Sequence, residues 1–174
     1  LPILSVARSM LLEPLQEFDL PVNRKALVVG GGIAGMTSAM SLAAQGFEVY
    51  LVEKEKDLGG IARRIHSTLG GLDVQVYVAD LIQKVYRHPL IHVATDAVIT
   101  DASGYVGNFV TRVKSDRGLQ EIRHGAVVLA VGAAEYKPTE YLYGEDDRVL
   151  TNLELEERIA GRDEALLSSG SVAM

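Results

Sequence analysis

One unit of the chain, Lys25 to Glu53, constrains the fold more than anything else in the sequence. "KALVVG" (25–30) is a short apolar run of the kind that forms a strand buried on both faces. Gly30, Gly32 and Gly35 follow as G-x-G-x-x-G, and the spacing predicts a helix from Met36 to Gln45, with Gly46 in a C-cap position. "EVYLVE" (48–53) then reads as a second buried strand. A strand–helix–strand unit this short folds as a right-handed parallel crossover. The glycines have separate physical reasons. Gly30 permits a tight turn, Gly32 lets a pyrophosphate reach the backbone, and Gly35 lets helix and strand pack closely. The first helix amides and the helix dipole favour negative charge at that end.

Alone, the glycine pattern is equally compatible with a turn that happens to be rich in glycine. Two further residues select the binding reading. Ala39 is small where the helix crosses the sheet, and Glu53 closes the second strand. A carboxylate there accepts hydrogens from a ribose diol and repels a 2′-phosphate, which disfavours NADP. The expectation is a dinucleotide site.

The rest of the chain is read around this unit. Ile3, Val6, Met10 and Leu11 are at helical spacing in 3–13, ended by Pro14, and 16–24 reads as an extended linker. Residues 54–72 read as loop. Asp73 is a candidate N-cap for a helix reaching Tyr86, and "LIHVA" (90–94) reads as a third strand. Loose alternation over 97–124, with a turn at 114–118, predicts an antiparallel meander. "AVVLAV" (126–131) is another buried strand, and Thr151 with Glu154 forms a capping box before "NLELEERIA". The fold class expected is α/β: a Rossmann-like, three-layer FAD/NAD(P)-binding domain with a parallel sheet and a β-meander. Three segments follow: 1–24 as helix and linker, 25–150 as the binding domain with its second half missing, and 151–174 as a C-terminal helix and truncated tail. Leu1 and the closing "SGSVAM" suggest a piece of something longer.

Composition excludes several function classes. The net charge of −6 argues against a nucleic-acid or anionic-membrane partner. With no cysteine, the chain can hold no disulfide and no cysteine-ligated iron–sulfur cluster. No apolar run reaches the ~18 residues of a membrane span and no signal peptide is visible, so a cytoplasmic location without membrane insertion is expected.

FAD or NAD is decided by the next stretch, "EKEKDLGGIAR" (53–63). A larger dinucleotide gives the Gly59–Gly60 pair a use, as a loop passing close to the pyrophosphate, with Arg63 facing a phosphate. The plain alternative is a flexible surface turn. "VVLAVGAAEYKP" (127–138) again brings an apolar strand to a glycine, Gly132, where the backbone approaches the same ligand.

In combination, G-G-G-I-A-G-M, E-K-E, L-G-G and A-V-G resemble the FAD-binding domain of pyridine nucleotide-disulfide oxidoreductases. "LLEPL", "GFEVYLVEKEKDLGGIARRI", "HPLIHV", "GYVGNF" and "EYKPTEYLYG…RVLTNLELEE" narrow this to a resemblance to the A subunit of heterodisulfide reductase over nearly all of residues 8–160. That resemblance implies an FAD-binding fragment of an electron-transfer oxidoreductase, a flavin-dependent enzyme as part of a larger protein or complex and inactive as a fragment. It implies other subunits of a redox complex as partners, and a nicotinamide or ferredoxin-type electron partner. It further implies that Gly30, Gly32, Ile33, Ala34 and Gly35 contact the FAD pyrophosphate. Glu53 would hold the adenosine ribose and Lys54 would lie beside the adenine. Gly60 and Arg63 would line the pyrophosphate or ribityl side, Val98 would offer its backbone to the adenine, and Ala130, Val131 and Gly132 would come near the cofactor again. Two departures stand out. The family's Ala-Thr-Gly is Ala-Val-Gly here, and its cluster-binding cysteines are absent, so iron–sulfur clusters belong to the parent protein only.

Two alternatives stay open: an NAD-binding dehydrogenase domain, and a cofactor-free Rossmann-like scaffold that docks partner subunits. His66, His88, His92 and His124 lack ligand spacing and read as structural. Tyr136, Tyr141 and Tyr143 read as a loop packing back on the sheet or as a partner-docking lip, and the acidic run 154–157 as a solvated helix face. No residue set suggests a catalytic acid, base or nucleophile.

Overall fold

The structure, a computed structural model, describes residues 8, 12 and 19–168. The helix expected over 3–13 falls outside the described residues except for Arg8 and Leu12, as does the end of the C-terminal tail.

Four parallel strands form the central sheet: β1 (Ala26–Val29), β2 (Val49–Val52), β3 (Ile91–Ala94) and β7 (Ala126–Leu129), in the order β3-β2-β1-β7. Helices α1 (Ile33–Ala44) and α2 (Val74–Arg87) make the crossovers from β1 to β2 and from β2 to β3. Between β3 and β7 the chain inserts an antiparallel meander, β4 (Val98–Tyr105), β5 (Asn108–Ser115) and β6 (Gly118–His124). After β7 come α3 (Asn152–Ala160) and the short α4 (Glu164–Leu167).

The pleat of the parallel sheet sorts its side chains into two cores. Val28, Val49 and Leu51 point to the helices and pack with Met36, Ala39 and Ala43 of α1 and Leu81 and Val85 of α2. Leu27 and Val52 point the other way, onto Ala97, Val113 and Ile122 of the meander side. Three layers result: helices, parallel sheet, meander. Burial of each of these Val, Leu, Ile and Met side chains contributes roughly 1.5–3 kcal/mol, which is why such short strands hold. The meander is pinned by Thr111 and His124, both buried, whose Oγ1 and Nε2 lie 2.8 Å apart.

Local boundaries differ from the sequence reading in several places, among them β7, expected as a buried strand to Val131, which ends at Leu129 and is mostly exposed. Helix α1 starts at Ile33, not Met36, because Gly32 takes the N-cap in an extended conformation and accepts the first helical bond, Met36 N–H to Gly32 O at 2.9 Å. The stretch 54–72, read as loop, contains a 3-10 helix at Gly60–Arg64. The capping box of α3 is complete, with Thr151 and Glu154 exchanging side-chain bonds with each other's backbone N–H.

Candidate functional site

The site is built on the turn between β1 and α1. Gly30 has a φ of +107°, a conformation L side chains rarely adopt, and any Cβ there would run into the carbonyl of Ala130 at the end of β7. Its N–H continues the sheet, donating to Val52 O at 2.8 Å. A Cβ on Gly35 would strike the carbonyl oxygen of Gly30, so the first turn of α1 presses directly on the glycine turn. Gly32 is different. A Cβ there would meet nothing within 4 Å, so its backbone faces open space at the helix N-terminus. No side chain caps that end and no acidic residue stands in its first turn, which leaves the first N–H groups, those of Ile33 and Ala34 among them, without a side-chain acceptor.

The second glycine pair comes to the first. Gly59 N–H donates to Gly31 O at 2.8 Å, and a bridge pairs Gly59 with Gly32. A Cβ on Gly60 would lie 3.3 Å from the Cα of Gly32. Both Gly59 and Gly60 have positive φ, +115° and +54°.

Glu53 is buried at the end of β2. One carboxylate oxygen accepts the N–H of Gly31 and the other accepts the N–H of Glu55 at 2.9 Å. A carboxylate offers about four acceptor sites, so these bonds leave capacity for a diol. Backbone bonds from Ala97 N–H to Glu53 O and from Asp96 N–H to Glu55 O, each 3.0 Å, bring the start of β4 against this corner, with Val98 next in the chain.

The sequence-derived residues therefore divide. Gly30, Gly32, Gly35, Glu53, Gly60 and Ala130 surround one turn, and the backbone N of Val131 is close to Gly30. Ile33 and Ala34 form the first turn of α1. Val98 is one residue away from the Glu53 corner and half exposed. Three others point elsewhere or touch nothing. Lys54 is exposed and 3.7 Å from Glu55, Arg63 pairs with Asp57 at 3.0 Å, and a Cβ on Gly132 would meet nothing.

Two features escape a reading by pattern. Gly31 is as constrained as its neighbours, since a Cβ there would run into Leu58 and the Glu53 side chain. The run of three glycines is its signal, but the G-x-G-x-x-G pattern treats that position as free. The acidic run of α3 is also not merely solvated. Glu156 accepts the N–H groups of His66 and Ser67 at 2.8 and 3.1 Å, and Glu157 pairs with Arg64. Glu154 accepts from Tyr143 Oη at 2.6 Å and lies 3.3 Å from Lys137 Nζ, which with the backbone bond of Thr151 holds its pKa down at about 2. Tyr136 and Tyr141 are exposed. Among the described residues no group of His, Asp and Glu is arranged to hold a metal, and no helix is long and apolar enough to cross a membrane.

Comparison with known proteins agrees with this geometry. A family model described as an NAD(P)-binding Rossmann-like domain matches residues 28–92, the span from β1 to β3. An iron–sulfur A subunit of CoB–CoM heterodisulfide reductase from Methanopyrus kandleri is 40% identical over 119 residues, 67% of this chain and 18% of that protein. The A subunit of the CoB–CoM heterodisulfide, ferredoxin reductase of Methanothermobacter thermautotrophicus is 37% identical over 112 residues, 64% of this chain and 17% of that protein. The chain thus spans less than a fifth of the length of these relatives. Among solved structures, L-proline dehydrogenase from P. horikoshii superposes with a TM-score of 0.56 at 25% identity, covering 68% of this chain and 25% of that one. An oxidoreductase from Agrobacterium tumefaciens shares the fold, with a TM-score of 0.52 at 24% identity over 69% of this chain and 39% of its own. By sequence, the chain is a relative of the heterodisulfide reductase A subunits.

Proposed function

We propose that the chain is the FAD-binding part of an electron-transfer oxidoreductase related to the A subunit of heterodisulfide reductase. The observation that carries this is the contrast among the glycines. Gly30 and Gly35 are closed in by backbone, whereas Gly32 opens onto free space beside uncapped helix amides. The fold needs the first two for packing; Gly32, the N-cap of α1, keeps clear a space that a ligand can enter. A pyrophosphate fits that place by chemistry, since it accepts N–H donors and is stabilised by the helix dipole. Gly32, Ile33 and Ala34 would bind it, with Gly60 keeping the adjacent backbone close. The spare acceptor sites of Glu53 would take the ribose hydroxyls, and the backbone near Val98 would border the adenine. Ala130, Val131 and Gly132 would flank the cofactor from β7, with Lys54 and Arg63 at the exposed rim. When bound, the flavin supplies the electron transfer. This chain binds and orients it and offers no acid or base of its own. Partner subunits, a nicotinamide or ferredoxin-type electron partner and a cytoplasmic setting belong to the same reading, supported by the names of the relatives and by the lack of a membrane-crossing helix among the described residues.

The match to an NAD(P)-binding domain favours one second reading, a nicotinamide dinucleotide in the same cradle. The test is an absorbance spectrum of the chain after loading with FAD and removal of free flavin, followed by a titration with NADH. Retained flavin bands are the expected result. NADH binding without flavin retention would replace FAD by NAD, and binding of neither would overturn the site.

A further inference from the structure

Among the described residues, Arg64 rejoins beyond the glycine turn the two segments that flank it. One segment runs from Gly60, packed on Gly32, through the 3-10 helix to Arg64. The other runs from Ala130, packed on Gly30, to Glu135. Arg64 Nη1 lies 2.9 Å from Glu135 Oε2, and Arg64 Nε also donates to Glu157 of α3. The other oxygen of Glu135 accepts the hydroxyl of Thr151, the N-cap of α3. No residue of α3 is fully buried, and its hydrogen bonds and ion pairs to the 64–67 segment come from Glu156 and Glu157. Arg64 keeps its proton more strongly than a free arginine, and Glu135 and Glu157 are shifted below the ordinary carboxylate range, chiefly by these hydrogen bonds.

We propose that Arg64 is a positioning residue for dinucleotide binding, an electrostatic clasp that fixes the Gly60 and Ala130 segments around the glycine turn by holding Glu135 and Glu157. The proposal rests on the dinucleotide reading above. Arg63, beside it in sequence, is not part of the clasp, because it pairs with Asp57. A clasp of partly exposed charges is weakened by salt, since the screening length shrinks from about 10 Å at 0.1 M to about 3 Å at 1 M.

The test uses the whole chain in four forms: wild type, Arg123→Glu on the exposed face of the meander, Arg64→Glu, and the charge swap Arg64→Glu with Glu135→Arg and Glu157→Arg. Two readouts are taken on each, FAD affinity and amide hydrogen exchange across residues 133–160, at low and high salt. For Arg64→Glu we expect at least a tenfold loss of affinity and faster exchange in that segment, while β1 and β2 stay protected. The charge swap recovers most of both, and Arg123→Glu changes neither readout beyond twofold. Recovery in the swap separates a clasp from a merely damaged fold. Unchanged affinity and exchange in Arg64→Glu, or failure of the swap to recover either, would overturn the clasp. Absence of FAD and NADH binding by the wild type would overturn the dinucleotide reading instead, and the role in binding with it.

Discussion

The contrast between Gly32 and Gly35 gives a prediction in which folding and binding come apart. Gly32→Ala adds a methyl group into open space, at a φ of −72° that alanine adopts readily. Alanine is a poorer N-cap than glycine, which costs about 0.5–1 kcal/mol. The reduced freedom of the unfolded chain returns about 0.4–1 kcal/mol. Stability should therefore stay within about 0.5 kcal/mol of wild type, since these two effects nearly cancel. Gly35→Ala forces a Cβ well inside 3.0 Å of the Gly30 carbonyl oxygen, and neither backbone can yield without moving β1 or α1. Overpacking of this kind costs about 3 kcal/mol, offset by about 1 kcal/mol of helix propensity. The net loss of about 2 kcal/mol lowers Tm by roughly 4–8 °C for a domain of this size. Urea melts of both variants read the first half of the prediction, and flavin retention reads the second, in which Gly32→Ala loses the cofactor although it folds. A Gly32→Ala chain as unstable as Gly35→Ala would refute the reasoning, because the space beside Gly32 would then not be free. A stable Gly32→Ala chain that retained flavin like wild type would show that the space serves no pyrophosphate.

The glycines also show which parts of this molecule are legible in its sequence. The layers follow from local pattern: four short apolar runs that read as buried strands, and a loosely alternating stretch between the third and the fourth. Local pattern fails where a residue answers to something distant. Spacing starts α1 at Met36, but the helix begins at Ile33 and takes in Gly35, because only a residue without Cβ clears the Gly30 carbonyl. Spacing alone assigns Glu53 to a ligand, yet its oxygens already hold the N–H groups of Gly31 and Glu55, one of them 22 residues away. The acidic run of α3 reads as solvated because its partners, Arg64, His66 and Ser67, come from about 90 residues earlier in the chain. Charge pattern says that a carboxylate can pair; only the fold says with what.

Two further predictions follow from buried polar groups. Glu53→Gln leaves one oxygen to accept and turns an NH2 donor toward the second backbone N–H, so a buried donor loses its partner at a cost of about 1–3 kcal/mol. A urea midpoint equal to wild type would remove Glu53 from the architecture of the turn. His124 makes stability depend on pH. It is fully buried, with Nε2 2.8 Å from Thr111 Oγ1 and Nδ1 3.1 Å from Ala126 O, and burial pushes its pKa below the ordinary 6.5, against a smaller opposing effect of the Ala126 carbonyl. Nδ1 therefore carries the hydrogen and donates to Ala126, while Nε2 accepts from Thr111. Because the folded-state pKa is the lower one, the unfolded chain binds the extra proton first. The contribution of His124 is whole above about pH 6.5 and is lost as pH falls from there towards the depressed folded value, by at most about 1.4 kcal/mol per unit. Thermal midpoints at pH 7.5 and 5.5 should fall further apart in wild type than in His124→Gln, whose amide is neutral at both. Equal intervals in the two proteins would mean that His124 accepts a proton in the folded meander as readily as in water, and that its burial costs the charged form nothing.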